Sequence, residues 1–140
     1  MLFDFFDKKS KHVAQSDDPF FEAEMKKLLL GRKIIKAERL DEQSAMLTLD
    51  NGTELIAVGN EGCGGCCNGW YYLDELNGCD NAITRVECDL NTGKYYDDDV
   101  YHLFVYAEDK KINCLQYRGC DNGYYGTGYD LYVRVSEETP

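Results

Sequence analysis

Long apolar runs are missing from this chain of 140 residues. No stretch reaches the roughly 18 consecutive apolar residues that a membrane-spanning helix needs, so none is expected. Basic residues are scarce as well: 15 Lys and Arg stand against 26 Asp and Glu, a net charge of −11. A phosphate-backbone binder needs clustered Lys and Arg, so direct nucleic-acid binding is not expected. Histidine is limited to His12 and His102. His12 falls near the N-terminus. His102 lies in the strand-like run Val100-Tyr101-His102-Leu103-Phe104. A partly buried, hydrogen-bonded histidine is the simpler reading there than half of a Cys–His dyad. No Walker lysine follows Gly126-Thr127-Gly128, so that run is not a phosphate loop. The start, Met1-Leu2-Phe3-Asp4-Phe5-Phe6-Asp7, lacks the basic segment and unbroken apolar core of a secretory signal. A cytoplasmic protein with reduced thiols is therefore expected.

What is present suffices for one core. The 44% hydrophobic and 13% aromatic content excludes wholesale disorder, and the length suits a single domain. The distribution is uneven. Five of the six Phe lie in the first 21 residues, and all eleven Tyr lie between Tyr71 and Tyr132. From Gly59 onward 15 acids meet 6 bases, while the first 58 residues hold 11 acids and 9 bases. Every cysteine also follows Gly59.

Residues 1–18 read as an arm, with Leu2, Phe3, Phe5 and Phe6 followed by Lys8-Lys9-Ser10-Lys11. Residues 19–140 read as one compact domain. It opens with a helix capped by Asp17 or Asp18, started by Pro19 and ended by Gly31. Phe21, Met25, Leu28 and Leu29 form the apolar stripe of that helix. The period then changes to two. Strands are predicted at Lys33–Leu40, Ala45–Leu49, Thr53–Val58, Ile83–Leu90, Val100–Ala107, Lys111–Tyr117 and Tyr129–Val135. Asp50-Asn51-Gly52 marks a hairpin, because Asn-Gly tolerates positive φ. Trp70 to Leu76 reads as a short helix or an irregular turn. No βαβ alternation appears, so a parallel sheet is not expected. The expected fold is α+β and mainly antiparallel, with about seven short strands and one N-terminal helix. A meander, a sandwich or a partial barrel would each fit.

The densest chemistry lies in Gly59-Asn60-Glu61-Gly62-Cys63-Gly64-Gly65-Cys66-Cys67-Asn68-Gly69-Trp70-Tyr71-Tyr72. Cys63 and Cys66 have the C-x-x-C spacing that lets two thiolates reach one metal. No second C-x-x-C follows, so a zinc site would need a non-local pair such as Cys114 and Cys120. The plainer alternative is a tight loop whose small thiols fill the core beneath it. Thiol–disulfide exchange ranks below zinc, because Gly64, Gly65 and Gly69 make a poor helix start. Arg118 to Tyr129 is the second notable stretch. Its Gly, Asn, Thr and Tyr are what adaptable binding loops use, and also what an ordinary hairpin connection holds. Gly78-Cys79-Asp80-Asn81 and Gly119-Cys120-Asp121-Asn122 echo one another, too briefly for a duplicated domain. Asp97-Asp98-Asp99 lacks the spacing of a calcium loop and reads as a solvated turn.

Asn60-Glu61-Gly62-Cys63-Gly64-Gly65-Cys66, then Gly69-Trp70-Tyr71 and Asp80-Asn81-Ala82-Ile83-Thr84-Arg85-Val86, resembles small uncharacterised proteins of bacteriophages and bacteria. The resemblance spans roughly residues 31–135. It implies kinship with a domain of unknown function and an accessory role in a phage or mobile element, in the host cytoplasm if phage-encoded. No catalytic residue comes with it.

The reading that follows is a non-enzymatic binding module. Asn60, Glu61, Asn68 and Asn122 would supply polar contacts, and Trp70, Tyr71, Tyr124 and Tyr125 contact area. The partner would be a host protein, a second copy or a small polar ligand, with no membrane and no cofactor. The alternatives are a structural zinc module at Cys63 and Cys66, and an acidic mimic of nucleic acid.

Overall fold

Nine strands and one helix make up the computed structural model, which describes residues 10–60, 71–92, 99–119 and 128–134. In chain order they are β1 (Ser10–Gln15), α1 (Phe21–Leu29), β2 (Ile34–Arg39), β3 (Ser44–Leu49) and β4 (Glu54–Gly59). Then follow β5 (Tyr71–Leu76), β6 (Arg85–Thr92), β7 (Asp99–Ala107), β8 (Lys110–Gly119) and β9 (Tyr129–Arg134). Two open sheets result, one ordered β1-β9-β4-β3-β2 and the other β5-β8-β7-β6. Every strand pairing is antiparallel. The mainly antiparallel α+β reading therefore holds, with two more strands than the sequence suggested.

Alternation explains the central strands. On β7, Tyr101, Leu103, Val105 and Ala107 are buried, while His102, Phe104 and Tyr106 are only half-buried on the other face. The β3–β4 hairpin closes through Asp50-Asn51-Gly52 as expected, with one difference. Leu49 and Thr53 close a three-residue loop, and only Gly52 has positive φ, at 90°. Asn51 instead accepts the Thr53 N–H through its side chain at 3.1 Å. The β7–β8 turn places both Glu108 (φ 52°) and Asp109 (φ 67°) in the left-handed region.

The structure sharpens one expectation and corrects two. Residues 10–15, read as part of an arm, form edge strand β1, which pairs with β9 from Ser10↔Arg134 to Gln15↔Asp130. The alternation there is irregular, because the register shifts between His12 and Ala14. Residues 71–76, read as a helix or turn, form β5. A register shift between Leu73 and Glu75 sets the inward Leu73 and Leu76 three residues apart, a spacing that mimics a helix. The cap of α1 is also different. Phe20 occupies the cap position without a side-chain bond. Asp18 serves the preceding turn, accepting the Gln15 N–H at 2.8 Å. Gly31 does end the helix region, at φ 81°.

The core lies between the sheets and beneath α1, and its centre is aromatic. Tyr117 of β8 stacks on Tyr129 of β9 at 4.5 Å between ring centroids. Phe21 and Tyr101 stand at 90° to Tyr129, and Tyr71 meets Tyr101 edge-on at 5.6 Å. The Tyr117 hydroxyl reaches the Ala57 carbonyl at 2.9 Å and the Gln43 carbonyl at 2.7 Å, tying one sheet to the other. Burial raises the pKa of Tyr117 and Tyr129 well above the usual tyrosine value, so both hydroxyls remain protonated. α1 closes the edge of β6: Glu22 accepts the Cys88 backbone N–H at 3.2 Å. No helix among the described residues is long and apolar enough to cross a membrane.

Candidate functional site

Strand registry gathers six strand ends at one end of the fold. Gly119, the last residue of β8, pairs with Tyr71, the first of β5, and with Asp99, the first of β7. Thr92 at the end of β6 pairs with Asp99. Gly59 at the end of β4 pairs with Tyr129 at the start of β9. Two backbone bonds hold this point, and the second of them joins the sheets. The Asn60 N–H donates to the Gly128 carbonyl at 2.8 Å, and the Tyr71 N–H donates to the Asn60 carbonyl at 3.0 Å. The residues that flank segments 61–70, 93–98 and 120–127 are therefore neighbours. These segments hold the Cys/Gly motif, most of the acidic run and the Tyr/Gly motif.

The support is rigid for identifiable reasons. The Tyr71 hydroxyl donates to the Asp99 carboxylate at 3.1 Å, linking the roots of two segments. Gly59 sits where nothing larger fits: a Cβ there would lie 2.1 Å from the Tyr71 carbonyl oxygen. Gly128 has φ 67°, and a Cβ there would lie 1.9 Å from Ser16 Oγ. Ser16 Oγ accepts the Tyr129 N–H at 3.0 Å, so β1 also buttresses this end.

Of the residues predicted to make contacts, Asn60 and Tyr71 are described. Asn60 is half-buried with its backbone held on both sides. Tyr71 is fully buried, so its ring belongs to the core and its hydroxyl to Asp99. Glu61, Asn68, Trp70, Asn122, Tyr124 and Tyr125 lie outside the described residues, as do Cys63, Cys66 and Cys120. Cys114 is fully enclosed beside Cys79, and its thiol reaches the Asn77 carbonyl at 3.3 Å. Burial pushes that thiol up to about 12. Gly119 lies five positions beyond Cys114 along β8, about 17 Å of extended chain. Cys79, Cys88 and Cys114 are free thiols. Among the described residues, no three His, Cys, Asp or Glu side chains are grouped as a metal site.

Both histidines pair with aspartate. His102 Nδ1 lies 2.8 Å from Asp89 Oδ1, and its ring stacks on Phe104 at 4.9 Å. His12 Nε2 lies 3.0 Å from Asp130 Oδ1. The hydrogen-bonded strand histidine expected at position 102 is what the fold holds. The Tyr71–Asp99 and Asp89–His102 pairs were not visible in the sequence. Their partners stand 28 and 13 residues apart, and only strand register brings them together.

The chain belongs to the family of the domain of unknown function DUF7448, whose model matches residues 27–131. The match begins inside α1 and ends in β9, so it takes in all six gathered strand ends. No curated protein and no solved structure matches the chain.

Proposed function

We propose that this DUF7448 domain is a non-enzymatic binding module that engages a protein or a small polar ligand at the end of the fold where segments 61–70, 93–98 and 120–127 are rooted. One observation carries the reading: Asn60, Tyr71, Asp99, Gly119 and Gly128 are joined by backbone bonds and strand pairing at a single point. A braced scaffold with variable segments at one end is how many recognition domains are built. The composition of those segments suits contact, with Trp70, Tyr124 and Tyr125 for area and Glu61, Asn68 and Asn122 for polar bonds. An accessory role in a phage or mobile element, inside the host cytoplasm, fits the N-E-G-C-G-G-C motif.

The charge pattern favours this reading over an acidic mimic. Acids on α1, β2, β4 and β5 pair with bases, as in Glu22–Lys26 at 3.3 Å, Glu38–Lys36 at 3.4 Å, Glu54–Arg134 at 2.6 Å and Asp74–Arg118 at 3.6 Å. A mimic needs its acids free and on one face.

The test compares the full chain, a Trp70→Ala/Tyr124→Ala/Tyr125→Ala variant and a Tyr72→Ala control by quantitative affinity capture from host extract. Tyr72 is half-exposed on β5, outside the proposed contact set. Partners held by the wild type and the control but lost by the triple variant would support the proposal. The same partners held by all three would overturn it. Zinc analysis of protein purified without chelator decides the alternative of a structural metal module at Cys63 and Cys66.

A further inference from the structure

A second, separate site lies on the flank formed by α1, the end of β1 and strands β6, β7 and β9. A cavity of about 270 Å³ opens there. That volume sits at the small end of ligand pockets, enough for one ring or a fused pair with a short tail. Its inner residues are Phe21, Tyr101 and Tyr129, whose rings meet at right angles and so make a corner. Leu90, half-exposed, stands at its outer side. Asp17 and Asp89 also line it, together with His102, whose Nδ1 lies 2.8 Å from Asp89 Oδ1 and leaves the other carboxylate oxygen to the cavity; no Lys or Arg lines it.

We propose that this cavity binds a small organic cation, an ammonium group on a compact aromatic or aliphatic body. The apolar corner takes the body, and the two acids at the lining take the charge. Aromatic rings beside carboxylates suit ammonium ions, because ring quadrupole and carboxylate act in the same direction. The chain's net charge of −11 draws cations and repels anions.

The site sits next to the proposed binding end yet stands independently of it. Tyr129 follows Gly128, and Tyr101 packs edge-on against Tyr71. A ligand in the corner would therefore touch side chains that brace the roots of segments 61–70 and 120–127.

The test is a titration of the full isotope-labelled chain with 2-phenylethylamine, 2-phenylethanol and 3-phenylpropionate, followed by amide NMR shifts at Cys88, Leu90, Tyr101 and Tyr129. The amine is expected to shift these amides saturably and about tenfold more tightly than the alcohol, with no response to the carboxylate. The amine's advantage should shrink as salt is added. In Asp17→Asn/Asp89→Asn the amine should fall to the level of the alcohol, whose own binding stays unchanged. Leu90→Trp fills the outer side at a half-exposed position that tolerates substitution, and it should block amine and alcohol alike. Equal binding of amine and alcohol to the wild type would overturn the proposal. So would an amine affinity unchanged in the double variant, or silence of all four amides at about 10 mM amine, a concentration that would detect even millimolar affinity.

Discussion

The Tyr71 hydroxyl and the Asp99 carboxylate meet at 3.1 Å, joining the first residue of β5 to the first residue of β7 across the intervening end of β8. Tyr71 is fully buried and Asp99 partly so. The pair therefore works at the margin of the core, where a charged acceptor gains more from one good donor than it would in open water. It holds together the strand ends from which the candidate contact segments leave.

Tyr71→Phe keeps the ring packing and deletes only the donor. A loss of about 1–2 kcal/mol is expected, with Asp99→Asn costing somewhat less because an amide oxygen can still accept. A double-mutant cycle from urea melts should give a coupling of about 1 kcal/mol. Independent, additive effects would show that the bond contributes nothing.

Gly59→Ala should be severe. The added carbon would lie 2.1 Å from the Tyr71 carbonyl oxygen, a backbone atom that cannot swing aside. A loss of about 3 kcal/mol or more is expected. Gly31→Ala is the contrasting case. Nothing lies within 4 Å of its Cβ, and only the positive φ of 81° opposes it, so about 1 kcal/mol is expected. Denaturant midpoints of the two variants should therefore differ clearly. Similar midpoints would show that the β4–β5 approach is looser than described.

How much of this was legible in the sequence depends on whether the cause was local. The β3–β4 hairpin was legible because Gly52 carries the positive φ itself. The central strands were legible because residues such as Leu103 and Val105 alternate cleanly with half-buried neighbours. β5 was hidden by its bulge, which set Leu73 and Leu76 three apart. β1 was hidden because an edge strand with polar Ser10, Lys11, His12 and Gln15 owes its existence to β9 rather than to its own pattern. The tyrosines pose a different difficulty. Tyr101, Tyr117 and Tyr129 form the core, while Tyr72 faces outward. A residue with an apolar ring and a polar tip suits either place, so its surroundings decide. The flank cavity was invisible for the same reason that both aspartate–histidine pairs were: its lining comes from five separate elements or their ends.

The β7–β8 turn offers room for improvement. Glu108 and Asp109 both adopt positive φ, which side-chain-bearing residues resist. Glu108→Asn/Asp109→Gly supplies the residues that a two-residue turn of this hand prefers. A gain of about 1 kcal/mol is expected. It should appear as a rise of about 3–5 °C in the melting temperature. A lower melting temperature would mean that the acids make contacts worth more than the strain they relieve.

Alkaline pH should unfold the protein cooperatively. Tyr117 and Tyr129 have folded-state pKa values raised well above the ordinary tyrosine value of 10.0, mainly through burial. Cys88 and Cys114 are raised from 9.0 to about 12 for the same leading reason. Each group holds its proton more tightly folded than unfolded, so its contribution is intact below its unfolded pKa. For the thiols that contribution fades as pH climbs from about 9 toward 12, and for the tyrosines it fades above about 10. Each titrating group adds a slope of about 1.4 kcal/mol per pH unit, and the slopes of the four add where their windows overlap. Urea melts between about pH 8 and pH 11 should show stability flat at first and then falling ever more steeply. Absorbance of tyrosinate should lag in the native protein, with Tyr117 and Tyr129 ionising only as the fold is lost. A gradual, non-cooperative titration of all eleven tyrosines near their free value would contradict the buried aromatic centre on which the fold is built.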